Sequence, residues 1–393
     1  MLKHLFKLIW NKKKQNFLLM SEMFVSFLVI FAVFTLMVYY YHNYKKPIGL
    51  DYKNLWVINY GNGDKTPNTD SLNLYYENLR QTIKSMPQVK ELSFCSDNVP
   101  FSQNQWTGST HYKNAQSDGD FYNVEDNYVK TLNMHMIEGR WFEKGDAVAK
   151  TIPVVINDVM KEKLFGKEEA IGKLISEGDA KPNRRVIGIV QGLKSKGDYA
   201  TIHAAIYHRI DTGSFHNLGK IMIKVTPDAD AAFEARLYKT MADYMHDSTI
   251  EIEHMPNKLR SSNLFNVIPM IVTLIVACFL VINVALGLFG VLWYNINKRR
   301  GEIGLRRAIG ASGASVSSQL VSESLILATL SLIIGTFFAV QFPLLNVFDL
   351  QAGIYIVAMI LSVIFIYLLV FVCSLYPGKQ AAAIYPAVAL HEE

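Results

Sequence analysis

Four long apolar runs constrain this 393-residue chain more than anything else in it. A bilayer hydrocarbon core about 30 Å thick takes roughly 20 apolar residues as helix. Backbone polar groups in lipid must bond within their own segment, so each run is read as a helix. The runs span 17–41, 264–294, 320–342 and 354–375. The first is too long for a secretory leader, and "YYHNYKK" after it lacks the small-residue pattern of a cleavage site. It reads as a retained anchor.

Between the runs lie one very long segment, 42–263, and two short ones, 295–319 and 343–353. Lys3, Lys7, Lys12, Lys13 and Lys14 precede the first run. Lys298, Arg299, Arg300, Arg306 and Arg307 crowd the loop between the second and third, and the 343–353 link has no basic residue. The positive-inside rule puts the N-terminus, the 295–319 loop and the 376–393 tail in the cytoplasm, and 42–263 outside. The net charge of +5 arises from clusters beside apolar runs, so it signals topology rather than nucleic-acid binding. Residues 2–10 space Leu2, Leu5, Phe6 and Ile9 helically, which predicts an amphipathic surface helix within 1–16.

The fold class expected is a four-helix membrane protein with a large inserted α+β extracytoplasmic domain over 42–263. "LWVINY", "IPVVIN", "RRVIGIV" and "KIMIKV" read as strands, rich in β-branched residues. "SLNLYYENLRQTIKSM" and "DADAAFEARLYKTMADYM" read as helices, the second capped by Asp228 or Asp230, and Asn157 caps "DVMKEKLF". The second membrane run exceeds a crossing and is expected to project as a stalk over 264–294, with a possible kink at Pro269.

Searches for chemistry exclude more than they find. "GKEEAIGKL" fails as a phosphate loop: Gly166 and Gly172 are one residue too far apart, and Leu174 replaces the metal-binding hydroxyl. Ten histidines and three cysteines form no metal or nucleophile pattern, and Cys95 has no partner cysteine in the 42–263 segment. Asp97, Glu125 and Asp126 are expected to be solvated acids. Glu22 and Glu323 sit inside membrane runs, facing protein or the interface rather than forming a proton relay, since no chain of acids or histidines continues outward. Asn283 is expected to hydrogen-bond between helices.

The loop "NKRRGEIGLRRAIGAS", 297–312, holds five basic residues and one acid, Glu302. Gly301 and Gly310 can bound a short helix there. Its arginines either only fix topology or grip something in the cytoplasm, and the residues alone leave both open. From Arg299 the stretch is similar to the loop motif R-x-x-E-I-G-I-R-R-A-[IV]-G-A of the MacB/FtsX family of ABC-transporter permeases. The match includes Glu302, Ile303, Gly304, Arg306, Arg307, Ala308 and Gly310. "QLVSESLILATLSLIIG", with Glu323 and Gly335, resembles the family's next helix, and "YPGKQAAAIYPAVALHEE", with Pro377, Ala381, Ala382, Pro386 and Leu390, its tail. "YVKTLNMHMIEGRWF" and "VVINDVMKEKLFGKEEAIGKLI" resemble the MacB-type periplasmic core domain, with Gly139, Gly166 and Gly172 as turns.

The resemblance implies a permease subunit working by mechanotransmission, with those seven loop residues coupling it to an ABC ATPase. Ile303 and Ala308 would pack on that partner while Arg306 and Arg307 meet its acidic or carbonyl groups. MacB carries its ATPase on the same chain and this sequence shows none, so ATP and Mg are expected on a separate subunit, with no cofactor or catalytic residue here. A second permease copy or paralogue, a periplasmic adaptor or other envelope partner, membrane lipid and a bacterial inner-membrane location follow from the same likeness. Export or efflux is the leading reading. Regulation of a cell-wall hydrolase, lipoprotein release, and a sensor or scaffold without ATPase are the alternatives.

Overall fold

The computed structural model describes residues 13–61, 69–178, 181–210, 219–245 and 248–383. The surface helix expected over 2–10, and Pro386 and Leu390 of the tail, lie outside these residues. The chain divides into two compact units, a membrane unit (1–42 and 268–393) and an inserted domain (43–267).

Among the described residues, four helices are long and apolar enough to cross a membrane: α1 (Lys13–Lys45), α6 (Met255–Lys298), α8 (Gly313–Leu344) and α9 (Ala352–Ala382). In the membrane unit α8 and α9 pack along buried faces of small residues. Ser324, Ala328, Ser331, Gly335 and Ala339 form one face, and Ala358, Ser362, Ser374 and Ala381 lie on the other. Those of α8 recur at steps of three or four, and small residues let helix backbones approach closely where lipid supplies no hydrophobic drive. The serines do not compete for partners, because Ser324, Ser331 and Ser362 each donate to the carbonyl four residues back. Phe27 of α1 fills the notch at Gly335, where a Cβ would come 2.4 Å from its ring. Replacing Gly335 with Leu should therefore expel α1 from the bundle, seen as loss of the folded species on size-exclusion in detergent.

α6 runs unbroken for 44 residues through Pro269, about 66 Å at 1.5 Å per residue. That is nine residues earlier than the apolar run begins. Its first turns belong to the inserted domain, where Met255 and Leu259 are buried in the core.

The inserted domain is built on one eleven-stranded sheet. β1 (Leu55–Tyr60), β2 (Val89–Cys95), β10 (Lys220–Val225) and β11 (Ile250–His254) lie in the order β11-β1-β10-β2, all antiparallel. α2 (Thr69–Lys84) follows β1 and α5 (Ala231–Tyr244) follows β10, so this half is two βα units interleaved. Alternation sorts its residues between two cores. Trp56, Ile58, Ile221, Ile223, Leu92 and Phe94 meet Leu79 and Ile83 of α2 and Leu237 and Met241 of α5. Leu55, Val57, Met222 and Cys95 point the other way, against Tyr128, Trp141, Met255 and Leu259. Burial on both faces is why these strands read as continuous apolar runs.

The rest closes into a barrel. β4 (Ala115–Val124), β3 (Thr107–Tyr112), β7 (Leu174–Glu177), β8 (Arg184–Val190), β6 (Ile152–Asn157) and β9 (Ala205–Arg209) pair in that order, and β9 pairs back with β4. β5 (Met136–Gly139) adds to β8, and α3 (Tyr128–Leu132) and α4 (Asp158–Phe165) complete the unit. Asn157 caps α4 by accepting from the Met160 N–H at 2.9 Å, and Asp230 caps α5 by accepting from Phe233. Gly139, Gly166 and Gly172 all have positive φ, as turn glycines should.

Two acids are not the solvated groups expected. Glu125 is buried, pairs with Arg80 and accepts from the Phe94 N–H at 2.7 Å. Asp126 pairs with Arg209 at 2.8 Å. In the barrel, Glu177 lies between His208 and Arg184. Burial pushes its carboxyl up, but hydrogen bonds and electrostatic attraction from His208 and Arg184 outweigh this and hold it below the usual range. A depressed carboxyl contributes stability above its unfolded value of about 4.3, lost as pH falls through the folded value. Glu177→Gln should thus weaken the domain at neutral pH, and the gap from wild type should vanish in acid, read by near-UV circular dichroism against pH.

Candidate functional site

The basic loop folds as a short helix, α7 (Arg300–Ala308), directly after α6. Gly301 stands in its first turn and Gly310 just past its end, where φ of +103° releases the chain into α8. The helix has a fixed inner face. Ile303 is 5% exposed and packs with Ile296, Val316, Leu320 and Ala381, and Gly304 beside it is buried. Ile303 therefore serves its own chain, not a partner surface.

Arginines lock this helix from behind. Arg299 contacts Glu302 and Glu323, each at 3.1 Å. Arg306 reaches Glu302 at 2.6 Å and Gln319 at 2.9 Å, and Gln319 donates to Glu323 at 3.1 Å. The result is a closed network of four charges and an amide at the start of α8. Arg307 donates to the Ala382 carbonyl at 2.7 Å, at the C-terminal end of α9, where a helix presents unpaired carbonyls and partial negative charge. The outward face carries Gly301, Leu305, Ala308 and Ile309, with Leu305 53% and Ile309 79% exposed. Leu305 and Ile309 are an i, i+4 pair. They were not singled out from sequence, although their spacing opposite Ile303 was the available signal. Of the seven motif residues, then, Glu302, Arg306 and Arg307 hold the helix, Ile303 and Gly304 seat it, Ala308 faces outward and Gly310 ends it.

Glu323 is accounted for by Arg299. Glu22 sits against α6, its carboxyl where a Cβ on Gly287 would lie. Asn283 does not bridge helices within this chain. It donates to its own helix at the Phe279 carbonyl, 2.8 Å away, and is exposed in the middle of α6.

A second knot lies in the inserted domain, where α1 ends and α6 begins. The loop 194–199 ties both. Lys194 is only 1% exposed, and its ammonium donates to the carbonyls of Asn43, Lys46 at 2.6 Å and Asp198 at 3.0 Å. A buried cation thus bonds carbonyls at the end of α1, that of Asn43 also accepting from the Lys46 N–H at 3.0 Å. Burial lowers the Lys194 pKa, and Asp198 opposes this. Asn43 returns a bond to the Tyr199 carbonyl at 3.1 Å. On the other side, Asn263 of α6 accepts from the Asp198 N–H at 2.9 Å and donates to its carboxylate at 2.7 Å. Ser262 and Asn266 both donate to the Lys196 carbonyl at 3.0 Å. Gly197 has φ of +99°, and a Cβ there would strike Asn263 Oδ1 at 2.5 Å. Gly197→Ala should therefore part the loop from α6, raising amide exchange at 196–199 while the sheet stays protected. Nothing in "GLKSKGDYA" distinguishes this loop from an ordinary basic surface turn, since burial of Lys194 depends on where α1 ends.

Among the described residues no group of His, Cys, Asp and Glu could hold a metal ion. The arrangement consists of one helix braced by arginines, and one loop bonded to the end of α1 and the start of α6.

Residues 17–239 match the model of the MacB-like periplasmic core domain, and residues 274–386 that of the FtsX-like permease C-terminal. A macrolide export ATP-binding/permease protein MacB from Bdellovibrio bacteriovorus is 24% identical over 80% of this chain and 50% of its own. MacB 1/2 from Paracoccus denitrificans is 24% identical over 56% of this chain and 34% of its own. The chain thus spans half or less of the length of these relatives. The periplasmic region of MacB from Actinobacillus actinomycetemcomitans superposes with a TM-score of 0.39 at 17% identity, covering 56% of this chain and 96% of that one. The first of these matches takes in more than half of the chain, and the chain belongs to the MacB/FtsX family of ABC-transporter permeases.

Proposed function

We propose that this chain transmits ATP-driven movement from a partner ATPase to the inserted domain, by mechanotransmission rather than by passing a substrate through the membrane. The observation that carries the reading is the exposed Leu305–Ile309 pair on a helix braced by Arg299, Arg306 and Arg307. A rigid helix with an apolar outward face suits a groove on an ATP-binding subunit. The loop and both termini then face the cytoplasm, in keeping with their basic flanks. ATP and Mg are held by that subunit, on a separate chain. α6 is the lever, and the 194–199 loop yokes the ends of α6 and α1 so that the domain follows both. Export or efflux is the expected outcome at the membrane, and a periplasmic adaptor is a fitting envelope partner.

The functional unit is a pair of permeases. α6 leaves Ile271, Ile275, Phe279, Ile282 and Leu286 exposed, with Asn283 among them. A polar side chain in mid-membrane faces protein in nearly every case. In a Cys278→Ser background, Asn283→Cys should give a disulfide-linked dimer on oxidation in membranes. Cross-linking only through other helices would remove α6 from the interface.

The coupling reading is tested by affinity purification of the chain from native membranes in mild detergent, with ATPase assay of the eluate. A stoichiometric ATP-binding subunit is the expected result. Intact, folded permease that brings none overturns the reading.

A further inference from the structure

The membrane unit contains a concave, nearly wholly apolar groove of about 640 Å³. It is lined by Phe31, Thr35 and Tyr39 of α1, Phe342 of α8, Tyr355 of α9 and Phe348 of the link between the last two. Its floor is rigid, because Phe31, Phe342 and Tyr355 pack on one another with centroids 5.7–6.3 Å apart. Three of its polar side chains are engaged elsewhere. Thr35 donates to the Phe31 carbonyl at 2.7 Å, Gln341 to Phe337 at 3.4 Å, and the Tyr355 hydroxyl to the Val347 carbonyl. The interior therefore offers chiefly contact to hydrocarbon.

The rim is strained. Asn346, Phe348 and Asp349 have φ of 49°, 62° and 50°, and none is glycine. A bulky residue in this region is an outlier, and such strain persists only where neighbours impose it, often at ligand clamps. Here the imposing contacts are Asn346 to Asp349 at 2.9 Å and Tyr355 to Val347. Their effect is to hold Phe348, 78% exposed, at the edge of the groove.

We propose that this groove is a binding site for one acyl chain of a membrane lipid, taken from the leaflet reached by the C-terminal half of α1. Its volume falls within the roughly 300–1,000 Å³ of ordinary ligand sites. The groove lies on membrane-spanning helices, so the phase it meets is lipid, and a chain of methylenes matches its lining. Phe348 closes over that chain and sets it apart from lipid that only coats the bundle.

The test uses the full chain in nanodiscs of phosphatidylethanolamine and phosphatidylglycerol, doped with a phosphatidylethanolamine carrying a diazirine on one acyl chain. After irradiation, labelled peptides are mapped by mass spectrometry. Label should concentrate on 28–39 and 338–355, above the level on the exposed face of α9 at Ile356, Ile360, Ile364 and Leu368. Ala32→Trp, which fills the groove from an exposed position, should remove the groove label and leave that on α9. Phe348→Ala, at a site outside the core, should lower it too. Equal label on both regions, unmoved by either variant, means annular lipid only and overturns the proposal. A disulfide between two Ala32→Cys chains would put a second copy there and overturn it as well. No ATPase is present, so the result is independent of the coupling reading.

Discussion

Leu305→Asp with Ile309→Asp is expected to abolish association with the ATPase while leaving the permease folded. Both side chains point away from the protein, at 53% and 79% exposure, so the change removes nothing from the fold. Buried apolar anchors at interfaces are each worth about 2 kcal/mol or more. Losing two, with two carboxylates to desolvate, should weaken binding roughly a thousandfold. Co-purification of the ATPase reports the loss, and unchanged size-exclusion behaviour reports the fold. Arg306→Glu with Arg307→Glu should also lose the ATPase, but by a different route. Those arginines hold α7 to Gln319 and Ala382, so the helix itself should come free, seen as raised amide exchange over 300–308. Equal retention of the ATPase by both double variants would place the docking surface elsewhere.

Lys194→Met is expected to loosen the joint between α1 and the inserted domain. The variant keeps the apolar stem and removes three hydrogen bonds, stranding the carbonyls of Lys46 and Asp198, while that of Asn43 keeps its bond from the Lys46 N–H at 3.0 Å. Leaving buried polar groups unpaired costs about 1–3 kcal/mol each, and a total of about 3 kcal/mol is reasonable after local relaxation. Amide exchange should rise at 43–46 and 194–199. ATP hydrolysis by the complex should continue, uncoupled from movement of the domain. Unaltered exchange in both segments would mean that Lys194 is a passenger in the loop.

Much of this architecture was legible from residue pattern. The four spans follow from apolar length alone, and "LWVINY", "IPVVIN", "RRVIGIV" and "KIMIKV" are strands over the same residues. Asn157 and Asp230 are caps because a short polar acceptor before an amphipathic run has little else to do there. The closure of the barrel through β4 and β9 was not legible, because pairing between strands distant in sequence leaves no local mark. At the loop helix, the faces differ from those expected from sequence. Ile303 is the conspicuous apolar residue, yet it is the buried one, because α7 turns back on α8 and α9. Leu305 and Ile309 look like ordinary apolar residues until that inner face is known. Asn283 and Glu125 were misplaced for related reasons. A polar residue in an apolar run says it needs a partner, and an acid in a loop says nothing of the arginine a distant helix brings to it.

The central claim is that ATP at the cytoplasmic face moves the inserted domain. It is tested most directly by pulsed electron paramagnetic resonance distances between two copies of the permease bound to its ATPase. A spin label at Val148→Cys, 87% exposed on the domain surface, would be placed in a Cys278→Ser, Cys373→Ser background, with Cys95 buried and left in place. The account predicts a label distance that shifts between nucleotide-free and ATP-bound states, and that stays fixed in Lys194→Met while hydrolysis proceeds. A distance unchanged by ATP in a complex that binds and hydrolyses it would contradict mechanotransmission through this chain.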